Sequence, residues 1–320
     1  MSEILDVVIV GGGLVGGLTA LLLAKGGVQA TVLDAAPVLD PEQVKNILNP
    51  RVLALSQATI HLLKTVDVWN DLPRQMPYTG MHVWNKNGYG EIEFGQASAA
   101  FPTPDQALGS MVEPSLLNLV IQQKMLQQIQ DYRTQVKVVR VEQQVQGWIV
   151  ELADGQVLKT KLVIGADGAN SFVRDQAYIE LDVLDYRQAA ISCAIKTTKP
   201  HQYVARQIFL PTGPLAFLPM ASLDEQENGY WQSIVWTLPD DYAEEYSDLN
   251  DAEFLQLLTR ESQHMLGEVI EVRSRAKFPL KARSAQHYVK AGLALIGDAA
   301  HVIHPLAGQG VNIGLSLIHI

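Results

Sequence analysis

Apolar and polar positions follow two regimes along this chain. The opening run "ILDVVIV" becomes continuously apolar, the pattern of a strand buried on both faces. Residues 14–26 then carry apolar side chains at helical spacing, and "QATVLD" reads as a second strand, so the chain opens with a βαβ unit. Residues 35–50 form a loop bearing proline and asparagine, and Ser56 is placed to cap a helix through "SQATIHLLKTV". "GMHVWNKNGYGEIEF" predicts a hairpin turning at Asn87-Gly88.

After a loop over 97–110, Pro114 stands at the start of an amphipathic helix, "SLLNLVIQQKMLQQI", where its missing N–H costs nothing. Three short strands follow, with Asp154-Gly155 as a turn, and the last of them, "KLVIG", runs into "ADGANSFVR". From about 181 to 275 the pattern changes to strands of mixed polarity with one helix near 251–263, which predicts a separate sheet. "AGLALIG" at 291–297 restores a strand of parallel-sheet character.

One segment imitates a membrane span: residues 7–24 hold no charge. Five of those positions are glycine, and Glu3 and Asp6 precede the run where a signal peptide carries lysine or arginine, so it reads as strand, turn and helix. Composition narrows the classes further. The 320 residues are 48% hydrophobic and carry a net charge of −10, which describes a globular chain and argues against nucleic acid or anionic lipid as general partners. A lone cysteine, Cys193, excludes a disulfide framework and a cysteine-built metal site, and makes the cytoplasm the default compartment.

Three glycine-bearing stretches carry candidate chemistry. Gly11, Gly13 and Gly16 form a G-x-G-x-x-G between strand and helix: the first permits the tight turn, the second lets backbone amides approach a pyrophosphate, and the third lets helix and strand pack closely. Asp34 ends the second strand, where a carboxylate can hold a ribose hydroxyl. This fingerprint alone does not distinguish FAD from NAD. "GDAAHVIHPLAGQGVNIG" at 297–314 follows a strand, so Asp298 belongs at the carboxyl edge of a sheet, where open α/β folds bind ligands. A metal reading of Asp298, His301 and His304 lacks a fourth ligand, and Pro305, Gly308 and Gly310 disfavour a regular helix there. Asp167-Gly168, with Ser171 and Arg174 after it, is by itself an aspartate-capped turn followed by a surface charge.

In order and spacing, the three stretches together resemble the class A flavoprotein monooxygenases. Within that class "RVLALS" at 51–56, "MHVWNKNGYGEIEF" at 81–94, "GPLAFLPM" at 213–220, "SIVW" at 233–236 and "HPLAGQGVN" at 304–312 resemble the ubiquinone-biosynthesis hydroxylases, over essentially the whole chain. "DYRQAAISCAIKTTKPHQYVARQIF" is most similar to the branch that hydroxylates 2-polyprenylphenol; sibling branches act on methoxylated intermediates of the same pathway.

The resemblance implies an α/β fold: a Rossmann-like FAD-binding domain over 1–75, 106–180 and 276–320, interleaved with a mixed β-sheet substrate domain over 76–105 and 181–275. It implies FAD as cofactor, NAD(P)H as a transient electron donor, and O2 with a lipophilic polyprenylphenol as substrates. Gly11, Gly13 and Gly16 would cradle the pyrophosphate, and Asp34, where the family usually has glutamate, would bind the adenosine ribose. Arg51 matches the arginine reaching the flavin's phosphate and ribityl region, against its plain reading as a solvated cation. Asp298 matches the ribityl-binding aspartate, Asp167 the motif associated with the pyrophosphate and nicotinamide donor, and Pro305, Gly310, Val311 and Asn312 the loop along the isoalloxazine ring. Reduced flavin would react with oxygen to give a C4a-hydroperoxide whose distal oxygen passes to the ring of a phenol; no acid or base side chain is assignable. Phe217, Leu218 and Trp236 are candidates for the substrate wall, with core packing as the competing reading.

A polyprenyl substrate implies peripheral contact with the inner face of the membrane or a ubiquinone-biosynthesis protein complex, in a chain without a transmembrane segment. Family members continue for several dozen residues beyond "NIGL", so the resemblance marks this chain as truncated. A hydroxylase of a small soluble phenol and a nucleotide-binding module without oxygenase activity are the competing readings.

Overall fold

The computed structural model describes residues 4–98, 100–103, 105–303, 312 and 314. Strand Ile4–Val10 becomes fully buried over its last four residues because it is flanked on both sides in a parallel sheet, by Val157–Gly165 and by Ala30–Leu33. Leu293–Leu295 and Asp131–Arg133 extend that sheet in parallel, and Val138–Gln144 with Gly147–Leu152 adds an antiparallel flap paired to Val157–Gly165. The uncharged run 7–24 is thus strand, turn and helix, and no helix among the described residues is long and apolar enough to cross a membrane.

Helix Leu14–Lys25 lies against helix Pro114–Gln128, which does start on its proline. The second helix is not amphipathic as expected. It is buried at Leu116, Leu117, Leu119, Val120, Ile121 and Met125, and even Gln122 is inside, donating to Tyr132 Oη at 3.1 Å and accepting from Leu39 N–H at 2.6 Å. Covered on more than one side, the helix has no need of a polar stripe. Ser56 caps Gln57–Thr65 as its position predicts, accepting from Thr59 N–H.

A second sheet of eight strands is mostly antiparallel and takes its strands from Gly80–Gly95, 181–285 and His301–Val302. The hairpin Gly80–Asn85 with Glu91–Gly95 forms, but its ladder closes with Asn85 N–H donating to Gly90 O, so the turn spans the four residues 86–89 instead of a tight Asn-Gly pair. The region after 239 holds two helices where one was expected, Asp240–Asp248 and Asp251–Glu261, the second closed by a capping box between Asn250 and Glu253. The first was overlooked because its acidic "DDYAEEYSD" buries only Ala243 and carries little apolar signal.

Side-chain alternation divides this sheet into two faces. One carries Ile191, Cys193, Leu215, Phe217, Ile234, Trp236 and Leu238 into a core closed by Phe254, Leu257 and Leu258 of the second helix. The other carries Ala194, Leu218 and Trp231 into a cluster with Leu48, Val52, Met76, Tyr78 and Met111, drawn from the three-stranded sheet Leu53–Ser56, Gly109–Val112, Met76–Tyr78 and the loop before it.

Candidate functional site

The glycine turn is built as the spacing predicts. Gly11 has φ +105°, and a Cβ there would sit 2.3 Å from the carbonyl oxygen of Ala166; a Cβ on Gly16 would sit 2.0 Å from that of Gly11. No larger residue fits either position. Gly13 is different: it is the N-cap of the first helix, it offers no side-chain cap, and a Cβ on it would meet nothing within 4 Å. The first turn of that 12-residue helix also contains no acidic residue. Unsatisfied amides thus face open space at a positive helix end, which fits a pyrophosphate. Asp34 stands beside this turn, with Oδ1 accepting from Ala36 N–H at 2.9 Å and Oδ2 2.6 Å from where a Cβ of Gly12 would be.

The second stretch meets the first. Gly297 lies against Val15 of the first helix, where a Cβ would come within 3.0 Å of Cγ2, and Gly314 returns to the same side chain. Asp298 follows Leu293–Leu295 at the carboxyl edge of the parallel sheet. Its carboxyl reaches the surface, yet the surrounding protein desolvates it and raises its pKa, against the lowering influence of Arg51 and then His301. Arg51 is itself exposed, and it lies near enough for its charge to act on Asp298. The loop presenting it is pinned by buried Glu113, which accepts from Asn49 N–H at 2.7 Å and pairs with Arg74 at 2.6 Å. Arg74 also donates to the carbonyls of Lys45 and Ile47. Neither Glu113 nor Arg74 carries a sequence signal, because the role depends on a contact 64 residues away.

The third stretch is more structural than its resemblance implies. Both carboxylate oxygens of Asp167 are engaged within the loop, one by Ser171 Oγ and the other by Val173 N–H at 3.0 Å. They start the short helix Phe172–Gln176. Arg174, expected on the surface, is buried: its guanidinium donates to Ala169 O and to Ala299 O, each at 3.2 Å, so it links this loop to the residue after Asp298. Its Nε has no partner.

Asn312 is held by the protein itself. Its Oδ1 accepts from Ser56 N–H at 3.2 Å and Thr59 Oγ1 at 2.9 Å, and its Nδ2 donates to Ala54 O at 2.7 Å. Pro305, Gly310 and Val311, like His304, lie outside the described residues.

The three candidates for the substrate wall separate by parity. Phe217 and Trp236 point into the core beneath the helices, which is the packing reading for both. Two consecutive strand residues face opposite ways, and only Leu218 is on the face toward the loop carrying Arg51. That face is tied to the loop by Ser233 Oγ, which donates to Pro50 O at 2.6 Å. A cavity of about 490 Å³ opens elsewhere, between the paired ends of two long strands, lined by Val183, Leu184, Arg283, Tyr288 and His301.

A family model described as an FAD binding domain matches residues 4–319. The 3-demethoxyubiquinol 3-hydroxylase of Escherichia coli is 35% identical over 97% of this chain and 76% of its own length. The ubiquinone hydroxylase UbiL of Rhodospirillum rubrum is likewise 35% identical, over 98% of this chain and 70% of its own. In fold, PqsL of Pseudomonas aeruginosa superposes with a TM-score of 0.78 at 19% identity, covering 99% of this chain and 84% of that one. With an uncapped glycine turn, Asp34 beside it and Asp298 at one sheet edge, the chain belongs to the FAD-dependent aromatic monooxygenases, in the family of the ubiquinone-biosynthesis hydroxylases.

Proposed function

We propose that this protein hydroxylates the aromatic ring of a polyprenylphenol intermediate of ubiquinone biosynthesis, with NAD(P)H as a transient donor. The observation that carries the reading is the convergence at one sheet edge. Gly297 beside Asp298 packs on Val15 of the helix that starts open at Gly13, Arg51 acts on Asp298 through its charge, and the sheet face bearing Leu218 is tied to the loop of Arg51 at Pro50.

FAD, when bound and reduced, supplies the capacity to activate O2 and pass one oxygen atom to an electron-rich ring. The chain's own residues bind and orient. Gly11, Gly13 and Gly16 would admit the pyrophosphate, Asp34 the adenosine ribose, and Arg51 with Asp298 the phosphate and ribityl region. Arg174 and the Glu113–Arg74 pair hold the two loops that present these groups. Asp167 acts in this scheme through the loop it closes, and Asn312 anchors its own segment to the start of helix Gln57–Thr65. Leu218 and its neighbours would exclude water from the ring.

A second reading, hydroxylation of a methoxylated precursor, is favoured by the name of the Escherichia coli relative. Deleting the gene and identifying the quinone precursor that accumulates separates the two: 2-polyprenylphenol supports the first, and a methoxylated precursor replaces it with the second. Failure of the purified full-length protein to retain flavin after reconstitution defeats both.

A further inference from the structure

Ser192 is 5% exposed, and its Oγ is buried without any hydrogen-bond partner. It belongs to strand Leu181–Thr197, between Ile191 and Cys193, which both point into the helix-covered core. Alternation therefore turns Ser192 to the other face, with Ala194, Leu218 and Ser233. Across the sheet it stands opposite Val235 on one side and Ala276 on the other, and Val235 is opposite Ala216. All three neighbours are half-buried. Ser233, two residues from Val235 and on the same face, is the residue whose hydroxyl grips Pro50 beside Arg51.

The row Ala276, Ser192, Val235, Ala216 is thus a low floor of small and branched side chains facing the loop that carries Arg51. It contains one sequestered hydroxyl. The ladder between this strand and Val269–Ala285 loses register immediately next to the Ser192–Ala276 pair, where Ser274 takes φ +54°. Bulges of this kind re-aim side chains beside functional sites. A buried hydroxyl without a partner is unfavourable, and a ligand oxygen that bonds it removes that penalty.

We propose that Ser192 Oγ is a specificity-determining contact that hydrogen-bonds the phenolic oxygen of the aromatic substrate, an assignment that rests on the hydroxylase reading above. Ring hydroxyl and serine hydroxyl satisfy each other, and a ring lacking the oxygen leaves the serine as it is in the free protein. Sites built around a hydroxyl partner discriminate in this way.

The test uses the full-length, FAD-loaded protein and two probes, 2-prenylphenol and prenylbenzene, with dissociation constants read from perturbation of the flavin absorbance. In Ser192→Ala the affinity for 2-prenylphenol is expected to fall by about fivefold to tenfold, as for loss of one hydrogen bond. Its affinity for prenylbenzene is expected to stay within twofold of the parent (about 0.4 kcal/mol), and its FAD content to remain the same. Equal loss for both probes, or no loss for either, overturns the assignment while leaving the hydroxylase reading in place. A parent protein that holds FAD but binds neither probe removes that reading, and the assignment with it.

Discussion

The guanidinium of Arg174 donates to the carbonyl oxygen of Ala299, joining two loops 125 residues apart in sequence. Among the described residues this buried cation has no buried acid paired with it: its carboxylate neighbour, Asp175 at 3.4 Å, is exposed. Arg174→Ala leaves the carbonyl of Ala299 unmet and that of Ala169 with Arg283 alone, and the expected loss is about 1–3 kcal/mol of stability. FAD affinity should fall with it, because Ala299 positions Asp298. Denaturant unfolding with and without FAD measures both effects.

Gly13 and Gly16 separate cofactor binding from folding. Gly16→Ala drives a methyl into the Gly11 carbonyl and is expected to destabilise the apoprotein. Gly13→Ala puts its methyl into open space, so the apoprotein should melt like the parent while FAD binds at least about tenfold more weakly. Thermal melts of the flavin-free forms, followed by FAD titration, decide this.

Asp298 predicts a pH dependence. Desolvation raises its folded pKa above the ordinary 3.8, so the folded chain binds more protons there than the unfolded one. Its contribution to stability is fullest below 3.8 and declines as pH rises through the raised value. Asp298→Asn is therefore expected to make the apoprotein more stable than the parent at pH 7, with the difference vanishing toward pH 3, and to weaken FAD binding. Chemical denaturation of both proteins across that range checks the sign.

His201 works in the opposite direction. Fully buried, with Nδ1 accepting from Tyr203 N–H at 2.9 Å and Nε2 unpartnered, its ring is pushed down by burial to about 3 and, to a lesser degree, by the nearby charge of Arg206. The unfolded chain binds the extra proton, so stability is full above about 6.5 and is lost progressively between 6.5 and 3. His201→Asn keeps an acceptor for Tyr203 but cannot titrate, and its acid unfolding below pH 6.5 should be shallower than the parent's.

Phe217 and Leu218 are neighbours with opposite consequences. Phe217→Ala empties a fully buried position under Phe254 and should cost about 3–5 kcal/mol without a selective effect on ring binding. Leu218→Ala, on the other face, should alter KM for the aromatic substrate more than it alters the melting temperature.

The glycine turn, the parallel strands and the order of the three stretches were legible because each rests on local spacing. Faces of the mixed sheet were not. "GPLAFLPM" and "SIVW" look apolar throughout, since both faces are covered, and period-two alternation that would separate Phe217 from Leu218 is invisible when neither neighbour is polar. Arg174 and Glu113 were missed for another reason: a charged residue in sequence suggests solvent, and only tertiary contact reveals carbonyls or an arginine waiting for it. Ser192 sits among "AAISCAI", where one hydroxyl in an apolar strand carries no directional signal.

Leu181–Thr197 and Val269–Ala285 are 17 residues each, and they pair antiparallel along nearly their whole length, a ribbon roughly 55 Å long. One end runs into the parallel sheet's surroundings, where Gln286 N–H donates to Glu180 O; the other closes the core under Phe254. Layers joined this way have no hinge of the kind a free linker provides, since rotation would tear a ladder of hydrogen bonds. What compliance exists is concentrated where the ladder slips register, at Asp185 to Gln188, at Ser192 to Ala194 and at Lys196 to Thr197. The ribbon therefore behaves as a jointed beam, and one of its three joints carries the unpartnered hydroxyl of Ser192.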